Sequence, residues 1–242
     1  RSFLKRMLHE LETRHGLRLK AAFEHEFLIE GMEERPNSSY ALDSFRRQGQ
    51  FAETYLGALR EAGLEIDTFM PEYGPMQYEV TVGPADDERS ADHRWSAAYN
   101  NLGERDREAG LRICPVFPGA GVDISKQFHF EFRAADAAAS PYMVLGALVA
   151  AGLHGLDEAM EAPQVCRQPP QHLTESERQA LGIVRLPQSL DAALDLFEGE
   201  PALRPLFGEE LVSAYVAHKR FEAELMKDLS PEEQCARYRQ AY

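Results

Sequence analysis

The chain is predicted to be an α+β protein, with a mainly antiparallel, acid-lined sheet backed by helices and a helical C-terminal half. Three observations predict this. First, Phe23-Glu24-His25-Glu26-Phe27, Met76-Gln77-Tyr78-Glu79-Val80-Thr81-Val82 and Phe128-His129-Phe130-Glu131-Phe132-Arg133 alternate polar and large apolar residues, the period-two pattern of a strand with one covered face. Second, a helix–glycine–strand phrase recurs at Gly16, Gly63 and Gly110, 47 residues apart both times. Third, the alternation stops after Arg133, and helix signals begin with Ser140-Pro141.

Taken in order, the first helix should start at an N-cap Ser2 and bury Phe3, Met7, Leu8 and Leu11. Gly16-Leu17 should close it in a left-handed cap and lead into the Glu24–Glu26 strand. Met32 to Leu42, with Pro36, Asn37, Ser38 and Ser39, reads as an exposed loop. A second helix is expected over Ser44–Ala62, and Pro71–Pro75 as a turn that delivers Glu72 seven residues before Glu79. A third helix is expected over Asp87–Ala109, capped by Gly110. Ser as N-cap and Pro at the first helical position start a helix at Tyr142 that runs to about Met160. Its Ala and Gly content suits close packing against a sheet. Pro163–Pro170 reads as a linker, followed by helices near Thr174–Leu181, Ser189–Phe197, Glu209–Leu229 and Pro231–Tyr242.

Composition narrows the function classes. The 242 residues, 44% hydrophobic and 27% charged, can bury a sizeable core. A net charge of −14 argues against a nucleic-acid or anionic-membrane surface. It leaves phosphate ligands open, because metal ions can supply positive charge locally. Three cysteines without a CxxC pair point to a reducing, cytoplasmic setting. The longest apolar run, Met143–Leu153, is far short of a membrane span, and no signal peptide is seen. The abrupt start at Arg1-Ser2-Phe3 suggests a piece of a longer protein.

Glu is depleted in strands, yet it is the central polar residue of all three alternating segments and occurs twice in the first. Converging carboxylates repel unless a cation sits among them, and hard divalent cations choose oxygen ligands. The three segments therefore raise the hypothesis of a Mg²⁺ or Mn²⁺ site on the sheet, with Glu24, Glu26, Glu72 and Glu79 among its candidates. Solvated strand positions are the competing reading. For Glu131 an ion pair with Arg133 competes evenly with metal ligation, and His129 alone reads more readily as a structural histidine. His25 falls on the apolar face and reads as core. Gly119-Ala120-Gly121 lacks the helix, Lys and Ser/Thr of a phosphate loop, and no Ser-His-Asp or Cys-His signature is found.

These residues, in this order, resemble the catalytic domain of the glutamine synthetase family. Glu24-His25-Glu26 is similar to its E-x-E strand. Glu72 through Gln77 to Glu79 is similar to its E-x5-Q-x-E pattern, with Gly83-Pro84-Ala85-Asp86 matching the G-P-A-D that often follows. Glu131-Phe132-Arg133, Asp136 and Ser140-Pro141-Tyr142 resemble its E-x-R…D…N-P-Y. Val149–Leu156, Leu186–Leu194 and Lys219–Glu222 continue the likeness into the closing helices.

The resemblance implies one glutamine synthetase-like catalytic domain over residues 1–242, with a sheet-forming metal-site part to 133 and a helical part from 134. It implies an ATP-dependent ligase in which a glutamate-like carboxylate attacks the γ-phosphate of ATP and the acyl phosphate is captured by ammonia or an amine. Two or more Mg²⁺ or Mn²⁺ ions would neutralise the phosphates. By the same resemblance Glu26, Glu72 and Glu79 hold one metal, while Glu24 and Glu131 help hold a second beside ATP. Arg133 faces the substrate carboxylate or the transferring phosphoryl group, and His129 is a further candidate ligand. The family's homo-oligomeric ring, with active sites between subunits, is likewise implied.

The chain departs from the family pattern in three ways. It lacks the N-terminal β-grasp domain, it has no N-G-x-G-x-H motif, and Ser140 replaces the N of N-P-Y. An internal gap is expected near Ser125–Phe128. Two other readings therefore remain: a catalytically inactive, scaffold-type family member and, with less support, a guanidino-kinase-like phosphotransferase.

Overall fold

The computed structural model describes all residues except 30, 32–40, 83–96, 120, 122, 136–138, 203 and 242. Gly83–Asp86, Asp136, most of the expected loop over Met32–Leu42 and the side chain of His25 therefore lie outside the described residues. The chain groups into two compact units, residues 1–95 with 135–149 and residues 96–134 with 150–242.

The first unit opens with α1 (Ser2–His15), which buries Phe3, Leu4 and Met7 and ends at Gly16 in a left-handed cap with φ 66°. Strand β1 (Glu24–Leu28) follows, then α2 (Leu42–Arg47), α3 (Gly49–Glu61), β2 (Ile66–Pro71) and β3 (Gln77–Val82). The single helix expected over Ser44–Ala62 is thus two, interrupted at Gln48 (φ −108°, ψ 20°). The strands form an antiparallel sheet in the order β1-β3-β2.

One face of this sheet is an aromatic layer. Phe27 lies 5.3 Å from Tyr55 and 6.1 Å from Phe51 of α3, and Tyr78 stacks on Phe69 at 5.7 Å. Phe45 of α2 meets Phe69 edge-on at 5.9 Å. Tyr78 and Val80 are almost fully buried, and the Tyr78 hydroxyl donates to the Ser44 carbonyl at 3.1 Å. Burial of this layer supplies the driving force that settles which way β3 faces. The alternate residues Gln77, Glu79 and Thr81 are thereby committed to the opposite face.

In the second unit β4 (Leu102–Glu104) runs parallel to β5 (Leu111–Ile113), and β6 (Phe130–Phe132) pairs antiparallel with β5. The three acid segments, expected on one sheet, are thus divided between two three-stranded sheets. The helix expected over Asp87–Ala109 is also corrected: its described part, 97–109, contains β4 and turns instead. Gly110 is not a helix cap. A Cβ there would lie 2.5 Å from the Tyr99 carbonyl oxygen, so this glycine permits close backbone approach.

The aromatic side of β6 is a further difference. Phe128, Phe130 and Phe132 are 55%, 53% and 41% exposed, so their side of the strand is not core.

Helix α4 (Pro141–Asp157) starts where the Ser-Pro signal predicts it. Its Gly146 passes so close to Phe3 that a Cβ would meet the ring at 2.5 Å. The remaining helices are α5 (Glu175–Ala180), α6 (Leu190–Gly199), α7 (Arg204–Phe207), α8 (Glu209–Met226) and α9 (Pro231–Ala241). Thr174 caps α5 in a reciprocal capping box with Glu177, and Ser189 caps α6. Phe197 of α6 sits edge-on to Phe207 and Tyr215, at 5.2 and 6.0 Å. A smaller core of Cys166, Leu173 and Ile183, flanked by Tyr99 and Leu181, supports β4, where Cys166 bridges to Gly103.

Candidate metal centre

Antiparallel pairing of β1 with β3 sets Glu26 directly across from Glu79, and Glu24 across from Thr81. Like charges in cross-strand register are unfavourable, so the sheet places two acids where packing alone would not. Glu72 joins them from the turn after β2. Its N–H donates to the Gln77 carbonyl at 2.9 Å, folding the turn back onto the start of β3. Within this turn Met76 takes a left-handed φ of 56° while its side chain is buried.

One oxygen from each of Glu26, Glu72 and Glu79 lies within 4.8 Å of the others. Glu72 and Glu79 are only 6% and 8% exposed. Gln77 donates from Nε2 to Glu26 Oε2 at 2.6 Å, and Thr81 Oγ1 donates to Glu79 Oε1 at 3.1 Å. Octahedral Mg²⁺ at about 2.0–2.1 Å from each oxygen spaces its ligands by about 3 to 4 Å. The trio therefore fits a hard divalent cation after small side-chain adjustments.

The electrostatics carry the same sign. The Glu79 carboxyl is pushed up from its ordinary 4.5 to about 7. Burial is the largest cause, followed by the Glu24 carboxylate, with Glu72 and Glu26 adding to it, against the opposing Thr81 hydrogen bond. A buried acid made hard to ionise by neighbouring acids is one whose ionised form a cation would stabilise.

This sets a pH dependence. The unfolded chain ionises Glu79 near 4.5 and the folded chain near 7, so the metal-free protein loses stability as pH rises between those values. Metal binding needs the carboxylate, so Mn²⁺ affinity is expected to climb as pH rises through about 7. Calorimetric titration at pH 6 and 8, in buffers of different ionisation heat, should give tighter binding at 8 and proton release at 6.

Of the other predicted site residues, Glu24 belongs to the same unit as the trio and Glu131, Arg133 and His129 do not. Glu24 is exposed on β1, near enough to act on Glu79. Glu131, Arg133 and His129 belong to the second unit. There Arg112 donates from Nη1 to Glu131 Oε2 at 2.7 Å, and Arg133 donates to Glu131 Oε1. Cys114 Sγ lies 3.9 Å from the same carboxylate. His129 is exposed, with Nδ1 2.7 Å from the Gln127 carbonyl. Among the described residues, neither His129 nor Glu131 falls in a group of three potential metal ligands.

Arg112 is the site residue that sequence inspection missed. Its only local signal is one charge between the apolar strand residues Leu111 and Ile113; that it stands opposite Glu131 depends on the pairing of β5 with β6.

Fold and site together define an α+β protein carrying a carboxylate-walled candidate centre for a hard divalent cation. Comparison with known proteins supplies the family. The sequence model described as glutamine synthetase, catalytic domain, matches residues 1–95 and 88–238. The chain belongs to the glutamine synthetase family.

It is 31% identical over 159 residues to the gamma-glutamylpolyamine synthetase GlnA3 of Streptomyces coelicolor, covering 66% of this chain and 34% of that protein. It is 31% identical over 122 residues to the glutamine synthetase of Sulfolobus acidocaldarius, covering 50% and 25%. The chain thus spans about a third or less of these relatives' lengths. A crystal structure described as a novel glutamine synthase homolog superposes with TM-score 0.80 and 27% identity, over 100% of this chain and 74% of that one. The cryo-EM structure of Plasmodium falciparum glutamine synthetase, at 11% identity and TM-score 0.65 over 95% and 77%, shows likeness of fold alone. The two matched stretches overlap at residues 88–95.

Proposed function

We propose that this chain is the catalytic part of an ATP-dependent carboxylate–amine ligase of the glutamine synthetase type. In this reading a glutamate-like carboxylate is phosphorylated by ATP, and the acyl phosphate is captured by ammonia or an amine. The observation that carries it is the convergence of Glu26, Glu72 and Glu79, the last two of them buried. A divalent cation held by these residues would supply charge neutralisation for the phosphates.

The chain's own residues have separable tasks. Glu26, Glu72 and Glu79 present oxygens to the cation, and Glu24 adds negative potential beside them. Arg133 is assigned to an anionic group of the substrate. Its guanidinium is preorganised by Glu131, which lies between it and Arg112. Preorganised donors of this kind stabilise charge that develops during transfer, because they need not reorient as it forms. Glu131 and His129 keep the ligand roles that the family resemblance implies.

The relative named for gamma-glutamylpolyamine synthesis supports including amines larger than ammonia among the acceptors. A homo-oligomeric assembly is part of the same reading. A cytoplasmic setting suits the three free thiols. Among the described residues, no helix is long and apolar enough to cross a membrane.

The test is ADP release in the presence of Mg²⁺ or Mn²⁺, ATP and glutamate, with ammonium and a panel of amines. Release that needs both metal and an amine, and that disappears in Glu79→Ala, is the expected result. Metal binding with no ADP release from any acceptor would overturn the ligase reading in favour of a catalytically inactive scaffold.

A further inference from the structure

The turn between β2 and β3 does more than deliver Glu72. Gln77, at the head of β3, touches two of the three acids by different groups. Its side-chain Nε2 donates to Glu26 Oε2 at 2.6 Å, and its main-chain carbonyl accepts from Glu72 N–H at 2.9 Å. The third acid, Glu79, lies two residues along the same strand face.

The Gln77 amide is itself held. Gly74 N–H donates to Gln77 Oε1 at 2.8 Å, and Gln77 N–H donates back to the Gly74 carbonyl at 3.1 Å. The first of these bonds decides which way the amide faces. With its oxygen committed to Gly74, only its NH₂ can meet Glu26. The position of Gly74 makes this possible, because a Cβ there would fall 2.6 Å from Gln77 Oε1 and 3.3 Å from Gln77 Cβ. Any larger residue pushes the amide off its place.

We infer that Gln77 is a positioning residue of the metal centre, clamped by Gly74 so that its amide fixes the Glu26 carboxylate for the cation. This rests on the metal reading of Glu26, Glu72 and Glu79 and assigns the device that aims one of them. Residues that orient a ligand commonly change metal affinity by about 10- to 100-fold when lost.

A set of variants tests it by Mn²⁺ titration calorimetry, with the melting temperature of each metal-free protein recorded alongside. Gln77→Met removes the two described polar contacts of the amide and should weaken Mn²⁺ binding by about 10- to 100-fold. Gly74→Ala leaves every polar group of the site in place and should weaken binding by a smaller factor. The double variant should bind no more weakly than Gln77→Met, because both changes act through one amide. Gly57→Ala, in α3 with nothing within 4 Å of the added carbon, should leave affinity unchanged.

A purely structural role for the turn would lower melting temperatures without this non-additive pattern in Mn²⁺ affinity. Wild-type affinity in Gln77→Met, or losses that multiply in the double variant, would overturn the assignment. If Gln77→Met does not fold, unchanged affinity in folded Gly74→Ala overturns it instead. Mn²⁺ binding that is lost in Glu79→Gln but intact in Gln77→Met rejects only the positioning role. No Mn²⁺ binding by the wild type rejects the metal reading and this inference together.

Discussion

Replacing Glu79 by glutamine is expected to weaken Mn²⁺ binding by roughly 100-fold or more, and at the same time to make the metal-free protein more stable above pH 7. The two effects have one cause. Glu79 is buried, faces Glu26 across the strand pair, and is acted on by Glu24 and Glu72 as well. In its ionised form it is costly to the fold and valuable to a cation. An amide of the same shape relieves the repulsion and removes the ligand charge. The melting temperature of the metal-free variant should therefore exceed that of the wild type at pH 8 and approach it at pH 4, where the wild-type acid is protonated. A variant that is less stable at pH 8 would mean that Glu79 is held by favourable partners, which would remove the electrostatic case for a cation.

The second large effect is expected at Glu131. Its carboxylate is shared by Arg112 and Arg133, whose side chains are 13% and 11% exposed. Arg112 Nε is already buried without a hydrogen-bond partner. Glu131→Ala would take from two largely desolvated guanidinium groups the carboxylate that both share. Removing one partner of a buried ion pair costs about 3–5 kcal/mol, and partial exposure here brings the expectation to about 2–3 kcal/mol. Since the defect lies between β5 and β6, hydrogen exchange at Leu111–Ile113 should accelerate before exchange in β1–β3 does. Unchanged protection of β5 would show that the pair contributes nothing to the fold. The same variant should also lower ADP release, because Arg133 loses the carboxylate that orients it.

The acidic site was legible in the sequence for a definite reason. Period-two alternation separates Glu24 and Glu26 from Phe27, and Gln77 and Glu79 from Tyr78 and Val80. The aromatic residues that define the buried side are themselves unmistakable. The register was not legible. Alternation says which face Glu79 occupies but not that it stands opposite Glu26, which depends on the β1–β3 pairing as a whole. Nor could local sequence reveal that Gln77 reaches 51 positions back to Glu26, or that Met76 adopts a left-handed backbone beside it.

The third helix–strand phrase marks where local reading fails. Glu108-Ala109-Gly110-Leu111-Arg112-Ile113 has the same texture as Glu61-Ala62-Gly63-Leu64-Glu65-Ile66. Gly63 does take a positive φ of 83° just after α3. Gly110 is instead required by the Tyr99 carbonyl pressing on it from a distant segment. A glycine needed for its backbone angle and one needed for its missing side chain look identical in sequence. The misplaced helix followed from that, and so did the oversight of Arg112, whose partner Glu131 becomes visible only once β5 and β6 are paired.

The most direct measurement is anomalous diffraction at the manganese edge from crystals of the chain equilibrated with Mn²⁺ at pH 8. A strong peak within bonding distance of carboxylate oxygens from Glu26, Glu72 and Glu79 is the predicted result. A fully loaded crystal with manganese elsewhere and no peak among these three side chains would contradict the proposed centre.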